Sequence, residues 1–178
     1  MMISDEKKLV KKFNKGSKDA LCQIYMLYKN DLYRLSMSLL NDTAAAEDAV
    51  HDVFVRFAEQ KGSFVLKGRL KNYLLTCTAN RSRDLYRLKS RTHVALETGA
   101  AIAQTDCSPE RYAIETEEFI FLQRKLSQIP YEQREVILLH LHHDMTFQEI
   151  ASAQGVSANT IQSRYRYGLE KLDVFFKS

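Results

Sequence analysis

The chain has no tryptophan, two prolines, six glycines and three cysteines in 178 residues. So little Pro and Gly leaves few of the tight turns that an all-β domain needs at short intervals. No segment alternates apolar and polar residues as a half-buried strand does, whereas helical periodicity recurs throughout. The class is all-α. Cys22, Cys77 and Cys107 are far apart and form no CxxC pair. That excludes a disulfide framework or a thiolate zinc ribbon and fits reduced thiols in the cytoplasm. The longest purely aliphatic run is residues 136–139, so no membrane insertion is expected. The opening MMISDEKKLVKK lacks the apolar core of a signal peptide.

What is present is charge in one place. Net charge is only +4. Yet residues 61–91 hold nine Lys/Arg against one acid, Asp84, giving +8 there and −4 over the remainder. A concentrated basic segment in a nearly neutral chain points to a polyanion at a defined site.

Read in order, residues 7–15 make a short amphipathic helix with Leu9, Val10 and Phe13 on one side. Gly16 breaks it and Ser17 caps the next, which runs to about Leu40. Asn41, Asp42 and Thr43 supply a turn and cap. Residues 44–60 then bury Ala46, Ala49 or Val50, Val53, Phe54 and Phe57, and expose Asp48, Asp52 and Arg56. Asp48 and Asp52 are one turn apart and share a face, with His51 elsewhere on the wheel. Residues 61–68 are a loop with Gly62 and Gly68 near its ends. Its apolar groups either form a pocket for an unstacked base or fold onto the domain. Residues 69–91 are a long helix with Leu70, Tyr73, Leu74, Cys77 and Leu85 inward and Asn80, Arg83, Arg87 and Arg91 on the polar side. Residues 92–108 are small, polar and weakly patterned, which marks a linker. It separates a first domain, 1–91, from a second, 109–178. Ser108 and Pro109 restart a helix to Gln128, and another spans 131–142. The HLHHD stretch at 140–144 matches no standard zinc spacing, so no metal is expected.

Residues 146–172, TFQEIASAQGVSANTIQSRYRYGLEKL, are the most informative. Thr146 and Glu149 have capping-box spacing. Phe147, Ile150 and Ala151 form one apolar face, Gly155 suits a turn with positive φ, and Val156 fills the corner. Ser157 caps a second helix whose apolar stripe is Ile161, Tyr165, Leu169 and Leu172. This is the spacing of a helix-turn-helix. Its outer face holds Asn159, Thr160, Gln162, Ser163, Arg164, Arg166 and Tyr167, side chains able to bond base edges and phosphates.

Three segments carry a family resemblance: AEDAVHDVFVRF (46–57), LKNYLLTCTANRSRDLYR (70–87) and residues 129–172 with their Pro-x-x-x-Arg-Glu start. Together they resemble a sigma factor of the sigma-70 family, of the compact two-domain extracytoplasmic-function (ECF) type. The resemblance implies that the first domain binds the clamp coiled coil of core RNA polymerase through Asp48, Asp52, Phe54 and Arg56. It implies that Phe64, Lys67, Arg69, Asn80, Arg83, Asp84 and Arg87 recognise and melt the minus-ten promoter element. The helix starting at Ser157, through Asn159, Thr160, Gln162, Ser163, Arg164, Arg166 and Tyr167, then reads the minus-thirty-five element. An anti-sigma factor is an expected partner on the same ground. The family often has Trp early in the melting helix; Tyr73 is the nearest substitute here. Gln162 stands where Lys or Arg is usual, and His51 where Gln is usual.

No nucleophile–base pair, phosphate loop or ligand set argues for an enzyme or a cofactor. A stand-alone helix-turn-helix regulator would explain the C-terminal half but not the basic helix. An enzyme with a DNA-binding tail, using Asp48 and Asp52 with a metal, has no second feature in its favour.

Overall fold

Helix after helix follows from local signals that the chain carries at the predicted places. The computed structural model describes residues 3–95 and 117–177, and among them there is no strand. In chain order the helices are α1 (Ile3–Asn14), α2 (Lys18–Leu40), α3 (Thr43–Glu59), α4 (Leu70–Ala95), α5 (Glu117–Ser127), α6 (Tyr131–Ile137), α7 (Phe147–Gln154) and α8 (Ala158–Lys177). α6 continues into a π-helical turn, Leu138–His142. Residues 96–116 lie outside the described residues, and with them most of the 92–108 linker and the expected helix start at Ser108. α4 runs on to Ala95, past the boundary expected at 91.

The helix ends are closed by their own sequence. The Ser17 hydroxyl accepts from the Ala20 amide at 3.2 Å. Asn41 takes the left-handed conformation (φ 50°) and its amide bonds Met37 O, which ends α2. Asp42 then starts α3 by accepting from the Ala45 amide. Those backbone N–H groups, with Lys89 beside them, hold the Asp42 carboxyl below its usual range. A side-chain cap of this kind contributes about 1 kcal/mol.

In the first module α2 is the central helix, with α1, α3 and α4 packed on it. Phe13 of α1 stacks on Phe57 of α3 at 4.6 Å, and Ile24, Leu32, Leu35, Leu39, Leu70 and Leu74 are buried around them. Each such side chain contributes roughly 1.5–3 kcal/mol by leaving water. Ser36 and Ser82 meet at 3.0 Å, which lets α2 and α4 cross closely with both hydroxyls satisfied. In the second module α8 packs on α6 and α7. Gly168 makes that approach possible: a Cβ there would sit 2.6 Å from Ile137 Cδ1. The two modules also touch, α2 meeting α5 and α6.

Candidate nucleic-acid interface

In the second module the capping box and the glycine turn form where the spacing predicts them. Thr146 Oγ1 accepts from the Glu149 amide at 3.2 Å and Glu149 Oε2 accepts from the Thr146 amide at 2.8 Å. Those bonds, outweighing burial, hold the Glu149 carboxyl below its usual range. α7 ends at Gly155 with φ 66°, a conformation that costs glycine nothing. Ser157 Oγ then accepts from the Thr160 amide and pairs with the Thr160 hydroxyl at 2.8 Å, so both residues are spent on starting α8. Asn159, Gln162, Ser163, Arg166 and Tyr167 are exposed. They form one continuous polar surface on the first three turns. Arg164 is half-buried and donates to Gln154 Oε1 at 2.8 Å, which turns it toward the module rather than outward. Arg166 lies over the Tyr167 ring at 4.9 Å and reaches Glu170 at 4.0 Å.

The first module's basic segment is arranged differently. Lys67, Arg69, Asn80, Asp84 and Arg87 are exposed. Other cations of α4 are already paired: Lys71 with Asp31 at 2.7 Å, Arg81 with Asp52 at 2.7 Å, Lys89 with Asp42 at 3.0 Å. Phe64 is the loop's candidate for stacking on a base. Its ring is buried against Phe57 and Tyr73, both centroids 5.0 Å away, so of the two alternatives the loop takes the second for this residue. The apolar group left in water is Val65, 72 % exposed. The reason is packing: a phenyl ring beside two others contributes more in the core than on a polar loop. Tyr73 exchanges hydrogen bonds with the Gln60 side chain.

On α3, Asp48 is exposed and lines a groove between α2 and α3 with His51, Val55, Tyr25, Lys18 and Lys29. His51 therefore shares the face of Asp48, contrary to the wheel expected from sequence. Asp52 leaves that face to pair with Arg81. Phe54 is 8 % exposed and meets the Tyr25 ring edge-on at 4.8 Å, so it forms the groove's floor. Arg56 is exposed.

Glu135 gave no signal in the sequence beyond the Pro-x-x-x-Arg-Glu spacing, yet it joins α4 to the end of α7. It is 1 % exposed. It accepts two hydrogen bonds from Arg83 of α4, and Gln154 Nε2 donates to it at 3.0 Å. Arg83 also donates to Asn80 Oδ1 at 3.1 Å. Burial pushes the Glu135 carboxyl above its usual range, against the pull of Arg83 and Gln154. Gln154 in turn holds Arg164. A chain of side chains thus runs from α4 to α8. Around it Tyr131 stacks on Tyr86 at 4.6 Å, Arg134 donates to Leu39 O at 2.9 Å, and Asn72 donates to Glu149 at 2.8 Å.

The three histidines of 140–143 do not converge. His140 Nδ1 donates to the Met145 carbonyl at 2.7 Å and stacks on Phe147. His142 is exposed. His143 is 4 % exposed, and neither ring nitrogen has a hydrogen-bond partner. Burial, then the positive potential of His142, pushes its pKa down to about 3.

Comparison with known proteins agrees with this geometry. The model of Sigma-70 region 2 matches residues 24–92 and that of Sigma-70, region 4 matches residues 122–172. The ECF RNA polymerase sigma factor SigW of Bacillus subtilis is 26 % identical over 97 % of this chain and 95 % of its own length. Among solved structures, sigma factor RpoE of Bartonella quintana, in complex with the anti-sigma factor NepR, is 25 % identical with a TM-score of 0.71, covering 90 % of this chain and 98 % of that one. CnrH, in complex with the cytosolic domain of CnrY, shares the fold at 20 % identity and a TM-score of 0.70, covering 97 % of both chains.

Proposed function

Because this chain belongs to the sigma-70 family, and to its ECF type of RNA polymerase sigma factor, we propose a division of labour among the surfaces described above. Core polymerase docks on the α2–α3 groove, where Asp48, His51 and Val55 stand open around a floor of Phe54. The 61–69 loop and α4 handle the melted minus-ten element through Lys67, Arg69, Asn80, Arg83 and Arg87. The exposed face of α8 reads the minus-thirty-five element. Its N-terminal turns enter the major groove, as recognition helices do. The observation that carries this reading is the face of Asn159, Gln162, Ser163 and Arg166, solvent-exposed behind a capped and glycine-turned α7.

Sigma factors are non-enzymatic initiation factors. The role proposed here is stoichiometric: positioning, strand capture and release. Extruding a base costs a few kcal/mol, which cationic side chains along α4 offset only if they reach the strand. Arg83 is engaged by Glu135, so its use on DNA requires the two modules to part. A place of action in the cytoplasm belongs to the same proposal, and no described helix is long and apolar enough to cross a membrane. An anti-sigma factor as regulator is proposed from the likeness to RpoE of B. quintana. The lone-regulator alternative is not favoured.

The test is run-off transcription with purified core polymerase on genomic fragments. Start sites that need both core and this chain are expected. Duplex binding without core, and no start sites with it, would reject the assignment.

A further inference from the structure

The basic character of the first module does not begin at residue 61. On α1 the buried positions are Glu6, Leu9, Val10 and Phe13. Lys7, Lys8, Lys11, Lys12 and Lys15 are all exposed, opposite that face. Lys15 continues the stripe, because its amide still bonds the Lys11 carbonyl at 3.2 Å. Lys7 and Lys11, Lys8 and Lys12, and Lys11 and Lys15 are each four residues apart. Like charges at that spacing each cost a helix roughly 0.2–0.5 kcal/mol. The helix C-terminus favours Lys11 and Lys12 in its last turn, but none of the five lysines is ion-paired among the described residues. Glu6, an acid on the same helix, is turned inward.

The way Glu6 is turned fixes where the stripe points. Its carboxylate accepts from the Tyr28 hydroxyl at 2.8 Å and from the Leu70 amide at 3.1 Å, at the first residue of α4. At the other end of α1, Asn14 Nδ2 donates to the Phe64 carbonyl at 2.8 Å. Lys61 Nζ lies 4.0 Å from where a Gly16 side chain would begin. α1 is therefore fastened at both ends to the 61–70 segment, its lysines stand on the side away from that contact, and the Lys61 ammonium lies beside the Gly16 end of the helix. The stripe is about 12 Å long at 1.5 Å per residue. That is room for about three successive phosphates at 3.4 Å per nucleotide of one strand.

We propose that the lysine face of α1 is a second DNA-contacting surface, which grips the phosphates of the promoter strand next to the bases handled by the 61–69 loop. α1 precedes residue 24, where the matched family segment begins. The proposal rests on the reading of that loop and α4 as the melting surface.

The experiment uses holoenzyme, formed from core polymerase and the full chain, and a labelled promoter fragment with a pre-melted minus-ten bubble. Lys8→Gln/Lys11→Gln/Lys15→Gln should lower the slope of log affinity against log salt by about 2, at ~0.7–0.9 for each phosphate no longer neutralised. Affinity for core should not change, and the thermal midpoint should hold or rise as like charges are removed. A photo-cross-linking residue replacing Lys11 should label DNA beside the bubble. Lost core affinity with an unchanged slope, and label on polymerase, would overturn the proposal in favour of an acidic protein surface. An unchanged slope with unchanged core affinity would overturn it in favour of a solvated face. Asn80→Ala/Arg83→Ala separates the two readings. If it leaves bubble binding intact while the lysine variant weakens it, the α4 reading fails and the α1 surface stands.

Discussion

α4 and α8 are both expected to touch DNA, and they hold their charges in opposite ways. On α8 the outer side chains stand in water: Asn159, Gln162, Ser163 and Arg166 are exposed. On α4 four of the cations are held by carboxylates from elsewhere in the fold, while Arg87 and Arg91 are exposed: Asp31 takes Lys71, Asp52 takes Arg81, Asp42 takes Lys89 and Glu135 takes Arg83. The first three pairs lie inside one module and are partly exposed, where such bridges contribute about 0–1 kcal/mol. They exchange readily for phosphate. The fourth crosses between modules and ends on a buried carboxylate. Breaking such a pair leaves a buried charge and costs several kcal/mol unless the modules separate and water reaches it. The exposed face of α8 stands open, whereas on α4 only Arg83 needs a change of packing to be freed.

The largest test of that contrast is on strand opening. Asn80→Ala with Arg83→Ala should reduce open-complex formation on duplex promoter by about 100-fold, two charge-assisted hydrogen bonds at ~1.5 kcal/mol each. A pre-melted template should recover part of the loss. Equal loss on both templates would mean that α4 acts through folding or core binding, and the contrast with α8 would disappear.

The packing between the modules has its own probe in His143. The charges that act on its buried ring are His142 on the same turn, Asp31 of α2 and Lys71 of α4. Its folded pKa of about 3 lies below the ordinary 6.5. The unfolded chain therefore binds the proton more readily. The stability from burying the neutral ring is complete above about pH 6.5 and is lost as pH falls toward 3. Between pH 7 and pH 5 the unfolding free energy of the chain should drop by about 2 kcal/mol more than that of His143→Asn, measured in urea. Parallel curves for the two proteins would show that the ring is not sequestered against the first module.

The smallest effect concerns readout by α8. Gln162 can bond adenine with both arms, whereas Arg favours guanine. Gln162→Arg should shift preference at one upstream base pair by about tenfold, read from holoenzyme selection on a randomised minus-thirty-five element. Arg164→Ala should not alter the preferred sequence, because Arg164 is directed to Gln154. If Arg164→Ala changes the sequence and Gln162→Arg does not, the face of α8 that meets the groove is misassigned.

The residues themselves explain what could be read early. Ser17, Asp42, Thr146–Glu149, Gly155 and Ser157 act on amides within a few positions, so their meaning survives any tertiary arrangement. The buried positions of α3 and α8 follow from periodicity for the same reason. The sequence by itself therefore determined the helices, their caps, the helix-turn-helix and the concentration of positive charge. It did not determine which distant residue a charge would pair with. That Asp52 turns to Arg81 while His51 joins Asp48, that Phe64 enters the core, and that Glu135 closes on Arg83 depends on how one helix rotates against another. A residue separated by 52 positions in the chain becomes a neighbour only through such packing. Local bonds are written in short sequence; the choice among long-range partners is made by the burial of whole helix faces, whose free energy outweighs that of any single ion pair.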